Sequence, residues 1–64
     1  MEVSDIIYES SQLKVKVIYD LLKPLGAVTV QRINKNSNTV VEEITLTSEE
    51  IKALYRWIEE HRGW

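Results

Sequence analysis

Two stretches rich in β-branched residues, Ala27-Val28-Thr29-Val30-Gln31-Arg32-Ile33 and Thr39-Val40-Val41-Glu42-Glu43-Ile44-Thr45-Leu46, are separated only by Asn34-Lys35-Asn36-Ser37-Asn38. Branching at Cβ suits a pleated strand, and a cluster of Asn, Lys and Ser suits a tight reversal. The pattern is that of a β-hairpin, and it fixes a register. If Val28 faces Leu46 and Val30 faces Ile44, then Arg32 falls opposite Glu42, an attractive cross-strand pair. The other face then pairs Thr29 with Thr45, Gln31 with Glu43 and Ile33 with Val41. A slip of one residue scatters the apolar set over both faces, so Val28, Val30, Ile44 and Leu46 are expected to form the core face.

The segment after the hairpin reads as a helix. Thr47 and Glu50 have the spacing of a capping box, and Glu49 and Glu50 sit where the helix dipole favours negative charge. Ile51, Leu54, Tyr55 and Ile58 follow at helical spacing, with Trp57 and His61 on the flank. Gly63 suits a left-handed stop. The spacing predicts a helix over 48–61, with Ile51, Leu54 and Ile58 shielding the hairpin's core face.

The first 25 residues admit two readings. Leu13, Val17, Ile18, Leu21, Leu22 and Leu25 fit a helix capped by Ser10 or Ser11, while Leu13, Val15, Val17 and Tyr19 alternate with Lys14 and Lys16 as in a strand. Leu21-Leu22 and the closing Gly26 favour a helix over 12–23. Asp5-Ile6-Ile7-Tyr8-Glu9 reads as a short strand or an earlier helical turn. The expected fold is a single α+β domain over 1–64, in the order (β)αββα. Two strands alone are marginal in water, so the sheet is expected to be completed by residues 3–9 or by dimerisation.

Two resemblances accompany these readings. With a helix before the hairpin, Ile18-Tyr19-Asp20-Leu21-Leu22 and Leu46-Thr47-Ser48 fall in an order similar to that of the small head-completion protein W family of lambda-like phages. With a strand over 12–19, the chain resembles the positive-cofactor-four family of single-strand-binding coactivators. That resemblance implies a curved meander followed by a helix, and Ile44-Thr45-Leu46-Thr47-Ser48-Glu49-Glu50 is similar to that family's strand-to-helix entry. Neither resemblance carries a functional residue over to this chain.

Composition narrows the function classes. Among 64 residues there is no cysteine and one histidine, His61, so neither a disulfide framework nor a two-histidine metal motif is expected. A domain this small, without such staples, depends on tight packing or on a second chain. Glu42-Glu43, Glu49-Glu50 and Glu59-Glu60 are adjacent doublets whose side chains diverge, so they read as solvated faces. Gly26 and Gly63 read as terminators rather than as a phosphate loop, and no nucleophile motif occurs. His61 reads as a cation complementing the helix end, or as a packing residue. The expectation is therefore no enzyme, no cofactor and no small-molecule substrate. The longest uncharged run is Pro24 to Gln31, far short of the roughly 20 apolar residues of a membrane span. The acidic start lacks the features of a secretory signal, so no membrane role and an intracellular, cytoplasmic location are expected.

Two binding roles remain. The first is protein binding, with a homodimer or another protein as partner, through Ile33 and Val41 on the outer face and through Trp57 and Trp64 as aromatic anchors; Trp57 also suits a small core. The alternative is binding of single-stranded or duplex nucleic acid through Lys14, Lys16, Lys23, Arg32 and Lys35. Between residues 10 and 39 these five face a single acid, Asp20, although the whole chain carries a net charge of −2 and a dedicated binder is usually basic overall.

Overall fold

Alternation decides the middle of the chain. The computed structural model describes residues 1–23 and 26–63 and contains four strands and one helix: β1 (Glu2–Glu9), β2 (Leu13–Asp20), β3 (Val28–Asn34), β4 (Thr39–Leu46) and α1 (Ser48–Glu60). The strands form one antiparallel meander in the order β1-β2-β3-β4. The chain is thus a small α+β protein, and the helix expected over 12–23 is instead strand β2. Val15, Val17 and Ile18 lose rotamer freedom in a helix, and as a central strand the segment gains ladders on both sides, to β1 and to β3. The Leu21-Leu22 pair that favoured a helix lies just beyond the strand. There Asp20 ends β2 by accepting the Leu22 N–H at 2.9 Å and the Met1 ammonium at 3.0 Å. Gly26 closes a turn rather than a helix, donating to the Lys23 carbonyl at 2.8 Å; Leu25, part of the expected helix's apolar set, lies outside the described residues.

The correction to β2 removes the helix on which the order similar to head-completion protein W depended. The observed sequence of elements, a meander followed by a helix, is the one implied by the positive-cofactor-four resemblance. Residues 3–9 lie in β1, which joins the sheet beside β2 and not beside the hairpin.

The hairpin register agrees with the sequence reading at Val28–Leu46, Thr29–Thr45, Val30–Ile44, Gln31–Glu43 and Arg32–Glu42. It departs at the last step. Ile33 pairs with Val40 rather than Val41, because a bulge leaves Val41 without an opposite residue. A bulge inserts one residue into one strand and adds twist. The turn beyond is built by Asn34, whose side-chain oxygen accepts the Asn36 N–H at 2.9 Å, and by Asn38 in the left-handed region at φ 55, a conformation that asparagine tolerates.

α1 starts where the capping box places it. Thr47 Oγ1 accepts the Glu50 N–H at 3.2 Å and the Glu50 carboxylate accepts the Thr47 N–H at 2.8 Å. The expected shielding of the core face by α1 does not occur within the chain. α1 contacts the sheet mainly at β4, the strand it leaves, and Ile44 remains 56% exposed. The cause is local: a single residue, Thr47, joins β4 to α1, and its extended backbone at φ −73, ψ 165 does not reverse the chain. The dimensions agree. The molecule measures 35 × 34 × 15 Å, whereas four strands about 4.8 Å apart span only about 15 Å across the sheet, so α1 extends the molecule beyond the sheet. The radius of gyration is 13.2 Å, against about 10.7 Å for a compact domain of this length.

Among the described residues only Ile33 is buried, at 5% exposure. Truncating it, Ile33→Ala, is expected to cost about 2–5 kcal/mol of stability in denaturant unfolding at fixed protein concentration. A loss below about 1 kcal/mol, the range of a surface change, would contradict its role as the packed centre.

Candidate protein-interaction face

Residues opposed across an antiparallel ladder share a face, so the registers sort the sheet into two surfaces. On one, Asp5, Val17, Val30 and Ile44 form a row across all four strands, and Tyr8, Val15, Arg32 and Glu42 form the next. Val28 and Leu46 extend this face toward α1. The opposite surface carries Ile6, Lys16, Gln31 and Glu43 in one row, Ser4, Ile18, Thr29 and Thr45 in another, and Glu9, Lys14, the buried Ile33 and Val40 in a third. Its side chains bond to each other: Gln31 donates to Glu43 at 2.6 Å, and the Thr29 and Thr45 hydroxyls lie 2.9 Å apart.

The first surface is therefore apolar in its middle and polar at two points. Arg32 forms an ion pair with Glu42. The Tyr19 hydroxyl donates to Asp5 at 3.0 Å, and this hydrogen bond to a carboxylate raises the phenol above its ordinary value of 10.0. A shallow hollow of about 350 Å³ opens on this face, where Val15, Val30, Ile44, Arg32 and Glu42 line it. α1 adds a second apolar surface: Leu54 is 49% exposed, and Ile58 stands beside it on the same helical stripe.

The candidate residues from the sequence are dispersed. Ile33 is buried within its own chain and Val41 bulges into solvent, so the expected outer-face pair of Ile33 and Val41 does not form. Trp57 is half exposed on α1, with its ring stacked on His61 at a centroid distance of 4.4 Å. Trp64 lies outside the described residues. His61 takes the C-cap, with Nδ1 2.8 Å from the Trp57 carbonyl oxygen. Of the five basic residues, Lys14 and Lys16 stand on the polar face, Arg32 on the apolar face and Lys23 in the loop after β2. Lys35 is engaged at the turn: it reaches Glu9 at 2.7 Å and the Ser10 carbonyl at 3.0 Å. This last link, which ties the β1–β2 turn to the β3–β4 turn, was not legible from spacing, because Lys35 lies 25 residues from Ser10 along the chain.

Among the described residues no group of His, Cys, Asp or Glu is placed to hold a metal ion, and no helix is long and apolar enough to cross a membrane. No family model, curated protein or solved structure matches the chain.

The hydrogen bond and charge of Lys35 hold the Glu9 carboxyl below its ordinary value of 4.5. A carboxyl with a lowered folded-state value stabilises the fold above its unfolded value and loses that contribution as pH falls through the folded one. Lys35→Gln is expected to return Glu9 toward 4.5 in an NMR titration of its side chain. An unchanged titration would contradict the link between the turns.

Proposed function

We propose that this chain is a non-enzymatic protein-binding domain whose first partner is a second copy of itself. The observation that carries the reading is its surface. The chain exposes 5229 Å², whereas a folded monomer of this mass exposes about 4,200 Å². The excess, about 1,000 Å², is close to what each partner contributes to a standard interface, about 800 Å². The exposed apolar side chains include Ile44 on the sheet and Leu54 and Ile58 on the stripe of α1, and large apolar surface left open on a small chain marks an interaction site.

The alternative role in nucleic-acid binding has less support. Its five basic residues are divided between two faces and two loops, and Arg32 and Lys35 already hold carboxylates.

Sedimentation velocity is expected to show a dimer at about 100 μM, an affinity range that ordinary interfaces exceed. Ile44→Asp, which sets a charge in the middle of the apolar row, is expected to weaken association by at least about thirtyfold, the effect of a strong interface position. A monomeric wild-type chain at that concentration would overturn the proposal.

A further inference from the structure

We infer that the second copy covers the apolar sheet face with its own α1, and that the exchange is reciprocal, each helix lying on the partner's sheet. This rests on the dimer proposed above and specifies how it is built. Three observations lead to it.

The first is the β4–α1 junction. Ile51 N–H donates to the Thr47 carbonyl at 3.0 Å, and the two capping-box bonds hold Thr47 from both sides. A one-residue link in extended conformation, fixed by three hydrogen bonds, directs α1 away from its own sheet. The helix is thereby presented to another molecule.

The second is that the two open surfaces are complementary. A 13-residue helix is about 20 Å long, and the 8-residue strands β2 and β4 run about 26 Å, so the stripe of Ile51, Leu54 and Ile58 fits along the face that carries Val17, Val30 and Ile44. A two-fold axis makes each chain give a helix and receive one, so a single closed contact buries both surfaces.

The third concerns the edges. The outer strands of the sheet, β1 and β4, each carry a bulge, at Ile7 and at Val41. Bulges on edge strands oppose pairing with another chain. A dimer formed by joining hairpins into one larger sheet has to run past Val41, and one formed through β1 past Ile7. The faces are left as the route to association.

The absence of cysteine makes a direct test available. Two variants, Val30→Cys and Leu54→Cys, each carrying one thiol, are mixed in equal amounts and treated with a short bis-maleimide. Circular dichroism checks that each is folded, and Val17→Cys replaces Val30→Cys should the latter not fold. The expected product is the mixed dimer, sheet variant joined to helix variant, to the exclusion of either self-linked product. Self-linking of the sheet variant would show sheet packed on sheet, and self-linking of the helix variant helix packed on helix; either overturns the inference. A dimer in sedimentation with no cross-link overturns the helix exchange and leaves the dimer standing, whereas a monomer overturns both.

Discussion

Val17, Val30 and Ile44 stand opposed across three strands, and Ile44 remains 56% exposed to water. Water against apolar side chains costs about 25 cal/mol for each Å² left exposed, and a domain of 64 residues has little else with which to offset the loss of chain entropy. The rest of the structure follows from this unmet burial. Backbone ladders hold the sheet as a layer, but a single layer has one buried side chain among its described residues, Ile33. Two packed layers are the usual minimum for a domain core, and in the dimer proposed above a second copy supplies the second layer.

The polar contacts do a different job. They fix the ends of the elements rather than adding to a core. Asp20 gathers the Met1 ammonium and the Leu22 N–H at one end of the sheet, and Lys35 gathers Glu9 and the Ser10 carbonyl at the other. All of these are exposed or nearly so, and exposed ion pairs contribute little energy. Their effect is geometric: they set where the turns fall and so keep the apolar rows in line. The capping box at Thr47 does the same for α1, and its consequence is the larger, because the direction of the helix decides whether the sheet face is covered by its own chain.

The hairpin was legible in the sequence because its pairs are informative in both directions: an apolar set on one face, and Thr–Thr, Gln–Glu and Arg–Glu partners elsewhere. Only the bulge at Val41 escaped, since two consecutive valines satisfy either register. The helix start was legible from Thr47 and Glu50, which act within four residues. β2 was not, because Leu13 to Leu22 satisfies a helical and an alternating pattern at once, and its neighbours on both sides make the choice. Most consequential, spacing identifies the apolar stripe of α1 but not what lies against it. Ile51, Leu54 and Ile58 were expected over Val30 and Ile44 of the same chain, and the one-residue junction prevents it. The expected pairing of Ile33 with Val41 is lost for a local reason: the bulge sets Val40 opposite Ile33 and leaves Val41 without an opposite residue.

If the missing layer is supplied by a second copy, folding and association are one process, and stability depends on concentration. Thermal unfolding followed by circular dichroism over a hundredfold range of protein concentration tests this most directly. The account predicts a midpoint that climbs steadily with concentration. A midpoint independent of concentration, with a sharp cooperative transition, would mean that the single chain is stable with its apolar face open to water, and would contradict it.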